Sequence, residues 1–181
     1  MGAIVMLGDS LTEYNRWDEL APEREIINLG WSGDTAMGVY FRLGQVTRAK
    51  PTLIFLQVGI NDLGQGRSPE AVALAHEKIW AALADQIPYA RLVVQSLAPI
   101  RATKFAWEAI TLNNPQIQKT NRLLAEAAQK AGLDFLDLYA ALVGPDGELP
   151  DPLTDDGVHL TSAAYEIWLK LLKDFLGQAS D

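Results

Sequence analysis

The chain contains no cysteine. That absence excludes a disulfide framework, a thiolate-ligated zinc or iron–sulfur centre, and a cysteine nucleophile. Histidine is almost as scarce: there are two among 181 residues, His76 and His159. Positive charge is in deficit, since 15 Lys and Arg stand against 23 Asp and Glu and leave a net charge of −8. A nucleic-acid binder needs a basic face to displace counterions, and anionic membranes attract basic segments, so neither is expected as a partner. Long apolar runs are missing as well. The N-terminal one spans only Gly2 to Gly8 with no basic region before it, too short for a signal peptide or a membrane span. The expectation is a cytoplasmic protein without stable membrane insertion. No repeat, low-complexity tract or Ser/Gly-rich linker interrupts the chain, so residues 1–181 are expected to form one domain.

What the chain does contain is an ordinary globular composition, 49% hydrophobic and 21% charged, in enough residues for a sizeable core. Five short runs rich in Ile, Val, Leu and Phe have strand length: Ala3–Leu7, Glu25–Leu29, Thr52–Val58, Arg91–Leu97 and Leu133–Leu138. Longer stretches with helical spacing separate them. Alternation of this kind specifies an α/β fold with a parallel sheet covered on both faces. Ser68-Pro69 and Asn114-Pro115 each read as an N-cap followed by proline at the first helical position. The last helix, from about Thr161 to Leu176, places Ala164, Ile167, Trp168, Leu171, Leu172 and Phe175 on one stripe, which should lie on the sheet. Two long loops are expected, Ile100 to Asn113 with Phe105 and Trp107, and Gly144 to His159.

Ligands of open parallel sheets bind beyond the carboxyl ends of the strands, so the residues that follow each run matter most. After the first comes Gly8-Asp9-Ser10-Leu11-Thr12, a turn that would expose the Ser10 hydroxyl at a helix N-terminus where negative charge is favoured. Ser10 suits a nucleophile, or simply a helix cap. After the second comes Gly30-Trp31-Ser32-Gly33-Asp34, where the Gly33 amide is available as a donor, and after the third Gly59-Ile60-Asn61-Asp62, where Asn61 offers a side-chain NH2. Each of these alone also reads as an ordinary turn.

Near the C-terminus, Asp156 and His159 stand three residues apart, a spacing that in a tight turn brings both side chains to one side. A carboxylate so placed holds one imidazole nitrogen and leaves the other free as a base. His76, flanked by Ala75 and Glu77 in a helical stretch, reads as a surface or packing residue. Acyl transfer requires a nucleophile, a base, an orienter for the base and oxyanion donors. Ser10, His159 and Asp156 would fill the first three roles. The Ser10 amide, the Gly33 amide and the Asn61 side chain would supply the donors.

These blocks, in this order, resemble the GDSL or SGNH hydrolase family over nearly the whole chain. Gly8-Asp9-Ser10-Leu11, Gly33, Gly59-Ile60-Asn61-Asp62 and Asp156-Gly157-Val158-His159 carry the resemblance. It implies a flavodoxin-like three-layer α/β/α sandwich with a five-stranded parallel sheet, a metal-independent serine esterase or lipase-like mechanism without cofactor, and the residue roles given above. Within the family, Gly30 to Thr35, Gly59 to Asp62 and the helix after Asn113-Asn114-Pro115 are similar to acetylhydrolases of platelet-activating-factor type and their bacterial relatives. That similarity implies short acyl groups, acetyl to butyryl, on a small-molecule ester. Ile60 before Asn61 departs from those relatives, and the first strand begins almost at Met1, without the N-terminal segment of longer ones.

Other readings stay open at this point. A thioesterase, a lysophospholipase or a carbohydrate O-deacetylase would use the same triad. An α/β-hydrolase would need a G-x-S-x-G elbow, and Gly30-Trp31-Ser32-Gly33-Asp34 puts Asp at the last glycine, which discounts Ser32. A flavodoxin-like binding module could use the Gly8 to Thr12 turn for phosphate. A metal-dependent phosphoesterase would use Asp9, Asp34, Asp62 and Asp156, although such sites generally add several imidazoles. Asp62 is expected to be structural, and Trp17, Trp31, Phe105 and Trp107, which could border the pocket, are left out of the site because large aromatics are more often packing residues.

Overall fold

Strands buried on both faces read as unbroken apolar runs, and four of the five runs become strands of nearly the expected extent. In the computed structural model, which describes residues 2–104 and 112–178, the five strands are β1 (Ile4–Gly8), β2 (Ile26–Gly30), β3 (Leu53–Gln57), β4 (Arg91–Gln95) and the shorter β5 (Asp134–Leu136). They pair in parallel in the order β2-β1-β3-β4-β5. Side chains alternate between the faces. Val5, Leu7, Ile54, Leu56 and Val94 meet α2 (Ala36–Phe41), α3 (Leu43–Ala49), α5 (Pro69–Gln86) and α6 (Asn114–Ala131). Ile4, Met6, Phe55 and Val93 meet α7 (Leu138–Leu142) and α8 (Ser162–Gln178). The result is the flavodoxin-like α/β/α sandwich.

Strand order places the site. From β1 the chain crosses to β2 on one side and then to β3 on the other, so β1 is the switch point where the connections part and a crevice opens at the carboxyl ends. Two short helices sit at that crevice, α1 (Ser10–Glu13) after β1 and α4 (Ile60–Gly64) after β3.

The α8 stripe lies on the sheet as expected: Ala164, Trp168 and Leu172 are fully buried, and the Trp168 indole N–H donates to Gln95 Oε1 at 2.7 Å. Ser68 caps α5, its hydroxyl accepting from Ala71 N at 3.2 Å, a contact typically worth ~1 kcal/mol. At α6 the cap moves one residue from the expected position. Asn113 accepts from Gln116 N at 3.0 Å, while the Asn114 side chain pairs with both backbone groups of Ile100, at 2.9 and 2.8 Å. Two consecutive asparagines are locally equivalent, and the long-range partner decides between them. The fifth strand is shorter than its apolar run because Asp137 caps α7 through Ala140 N, which puts Leu138 in a helix.

His76 is fully buried, so of its two readings packing holds and surface does not: its Nε2 faces the Val58 carbonyl at 2.9 Å, and burial lowers its pKa. Trp17 is a packing residue, as expected of a large aromatic, and lies in the core edge-on to Trp168 at 5.0 Å between centroids. Phe105 and Trp107 lie outside the described residues. Among the described residues no helix is long and apolar enough to cross a membrane.

Candidate active site

The turn after β1 forces the Ser10 hydroxyl into the crevice. A Cβ on Gly8 would lie 2.2 Å from both Gln57 O and Thr12 Oγ1, so only glycine lets α1 begin this close to β3. Asp9 then caps α1: its Oδ1 accepts from Leu11 N at 3.1 Å, and its carbonyl takes Thr12 N and Glu13 N. Of the first-turn amides that lack intrahelical partners, Ser10's is left over. One remaining amide makes a poor phosphate cradle and a serviceable oxyanion donor.

His159 reaches the same point from the other end of the chain. Its Nε2 stands 3.2 Å from Ser10 Oγ, and its Nδ1 is 2.6 Å from Asp156 Oδ2. The other Asp156 oxygen accepts from Val158 N and His159 N at 2.9 and 2.8 Å, so the carboxylate and the imidazole are locked in one turn. Burial works against the Asp156 charge, yet the hydrogen bonds from His159, Val158 and the His159 amide outweigh it and hold its pKa below the ordinary value. A charged Asp156 selects the tautomer with the proton on Nδ1, which turns the Nε2 lone pair toward the serine. The neck of this loop is pinned by an antiparallel bridge between Thr154 and Leu160, and Lys104 Nζ donates to the Thr154 carbonyl at 2.8 Å.

Gly33 and Asn61 complete the crevice. Gly33 has φ +77°, in the left-handed region that favours glycine, and a side chain there would meet open space, so the requirement is conformational. Asn61 Nδ2 donates to the Asp34 carbonyl at 2.9 Å, which orients the amide and spends one of its two hydrogens. Ser10, Gly33, Asn61, Asp156 and His159 all line one cavity of about 350 Å³. The structure therefore brings every expected site residue together. A serine hydroxyl, an imidazole held by a carboxylate, and amide donors at one point are the groups that acyl transfer requires.

The sequence reading missed Arg42. Its guanidinium, about nine-tenths buried, bonds Asp34 at 2.6 Å and the carbonyls of Leu29 and Gly8 at 2.9 Å, which ties the ends of β1 and β2 to the Gly33 loop. No local motif marks it, because all its partners are distant in sequence. Tyr14 was also missed, although its place one helical turn after Ser10 was a usable signal; its ring centroid stands 5.3 Å from that of His159. Trp31 is exposed beneath Arg42 and does not line the cavity.

The aspartates of the metal-site reading have other employment. Asp34 pairs with Arg42, and Asp62 pairs with Arg67 and accepts from Ala36 N, the structural role expected of it. Among the described residues no three metal-ligating side chains converge. Asp9 is fully buried, and burial foremost, with the nearby charges of Asp34 and Asp62, pushes its pKa up to about 7 against the Leu11 hydrogen bond. Because the folded value lies above the unfolded one, the native chain holds a proton that the unfolded chain releases. This contribution is complete below about pH 4 and is lost as pH rises through about 7. Asp9→Asn, which keeps the cap, is expected to melt progressively higher than the wild type between pH 5 and pH 8, by on the order of 5 °C at the upper end. A melting difference that stays flat with pH would rule out an ionising Asp9.

Comparison with known proteins bears on the whole chain. The family described as GDSL-like lipase/acylhydrolase matches residues 6–167. Platelet-activating factor acetylhydrolase IB subunit alpha2 of Gallus gallus is 32% identical over 97% of this chain and 76% of its own length, and the Homo sapiens protein of that name is 30% identical over the same shares. The crystal structure of the lipase/acylhydrolase from Enterococcus faecalis superposes with a TM-score of 0.79 at 21% identity, covering 98% of this chain and 97% of that one, a likeness of fold.

Proposed function

The chain belongs to the GDSL-like lipase/acylhydrolase family and is a hydrolase acting on esters, and we propose that it works as a serine esterase on short acyl groups, acetyl to butyryl. The contact that carries this reading is the unbroken relay from Asp156 through His159 to Ser10 Oγ at the cavity. His159 takes the Ser10 proton as the hydroxyl attacks the ester carbonyl. The Ser10 and Gly33 amides and Asn61 Nδ2 stabilise the oxyanion. His159 then protonates the leaving alcohol and activates water to release the acyl group.

The reacting carbonyl would sit in the cavity of about 350 Å³ that Ser10 and His159 line. The relatives' name, an acetylhydrolase, points to short acyl groups. With p-nitrophenyl esters from acetate to decanoate, kcat/KM is expected to peak between acetate and butyrate and to fall roughly tenfold or more by octanoate, in line with the worth of misfitted methylenes. Activity is expected to be indifferent to a chelator. A maximum at long chains would overturn the short-acyl assignment, and loss of activity in chelator would return the metal-site reading.

A further inference from the structure

Beside the base, the cavity wall is polar and its hydrogens are already committed. Ser32 N and Ser32 Oγ both donate to Glu13 Oε2, the amide at 2.7 Å and the hydroxyl in a very short contact, and Ser32 Oγ is 3.0 Å from the Tyr14 hydroxyl. A carboxylate only accepts, and a serine hydroxyl has one hydrogen to give. With that hydrogen on Glu13, the bond between Ser32 and Tyr14 must be donated by Tyr14. The order is therefore Tyr14 O–H to Ser32 O–H to the Glu13 carboxylate. Tyr14 and Ser32 line the cavity with Ser10 and His159, and the Tyr14 ring packs against the imidazole. The Tyr14 oxygen is left with lone pairs to offer a ligand and no hydrogen.

Its position decides which half of a substrate it meets. The leaving alcohol must lie against His159 Nε2 to receive its proton, and Tyr14 is the side chain packed on that ring. We infer that Tyr14, its hydrogen held by Ser32 and Glu13, forms a leaving-group subsite that accepts a hydrogen bond from a hydroxyl on the alcohol half of the substrate, which makes acyl esters of polyols the substrate class. The inference rests on the serine-esterase reading above. It adds that an alcohol bearing a second hydroxyl is preferred to an ether of the same shape, since an ether oxygen would face an acceptor.

Deacylation tests this directly, because an acceptor alcohol that replaces water occupies the place of the leaving alcohol. The acceptor oxygen bonds to the acyl carbon while its proton passes to His159, the bond to Ser10 Oγ breaks, and the proton returns to Ser10. With p-nitrophenyl acetate as donor, ethylene glycol and 2-methoxyethanol are compared as acceptors by the ratio of new ester to free acetate, counted per hydroxyl. That ratio is insensitive to the fraction of active enzyme. The wild type is expected to favour the glycol by about three- to tenfold, the worth of one neutral hydrogen bond. Tyr14→Phe is expected to bring the preference close to one. Ser32→Ala frees the Tyr14 hydrogen and is expected to admit the methoxy alcohol. Equal partitioning in the wild type, or a preference that Tyr14→Phe retains, would overturn the subsite alone. Absence of any acyl-enzyme from p-nitrophenyl acetate would remove the serine-esterase reading and the subsite with it.

Discussion

Ser10→Ala is expected to lower kcat for p-nitrophenyl acetate by on the order of 10⁴–10⁶-fold, the range seen when the nucleophile of a triad is removed and only the oxyanion donors and binding remain. Structure and stability should scarcely change. Ser10 is buried at the crevice, its hydroxyl bonds His159, and the α1 cap is made by Asp9 rather than by Ser10. Melting temperature therefore serves as the control, and KM should move little, because the loss falls on covalent chemistry and not on ground-state contacts. A serine-directed phosphonate is expected to label the wild type once per chain and the variant not at all. Residual turnover close to wild type would move the chemistry to Ser32, the other serine of the cavity, whose hydrogen is committed to Glu13 and which faces no histidine.

The second large effect is expected at Asn61. Asn61→Ala removes one of the three donors proposed for the oxyanion and should cost on the order of 10²–10³ in kcat, with KM nearly unchanged, since the developing negative charge exists only in the transition state. Affinity for a boronic acid, whose tetrahedral adduct carries that charge, should fall in parallel. A stability control is needed, because Asn61 also donates to the Asp34 carbonyl. Loss of that bond should cost about 1 kcal/mol and shift melting modestly. Unchanged kcat with weakened stability would make Asn61 a structural residue of the Asp34 loop. A fall in kcat together with analogue affinity would identify it as a donor.

Most of the sheet was readable because a parallel strand buried on both faces leaves an uninterrupted apolar signature. Where the reading slipped, a polar residue had been claimed by a partner elsewhere. Asn114 looked like a helix cap and instead satisfies both backbone groups of Ile100, so Asn113 takes the cap. His76, between Ala75 and Glu77, reads equally as a surface or a packing residue, and the Val58 carbonyl decides for packing.

Local chemistry explains what the sequence determined by itself: the α/β class, the strand ends at which function gathers, and the residue types at Ser10, Gly33, Asn61, Asp156 and His159. Short-range rules suffice there. A glycine permits a turn, and three residues separate an aspartate from the histidine it holds. What only the tertiary structure decided is how those residues are aimed and what surrounds them. Arg42 joins Gly8, Leu29 and Asp34, Asp9 is sealed in with a raised pKa, and Glu13 fixes the hydrogen of Ser32 and thereby the polarity of Tyr14. Hydrogen-bond partners and burial depend on groups brought near by folding, and no spacing along the chain encodes them.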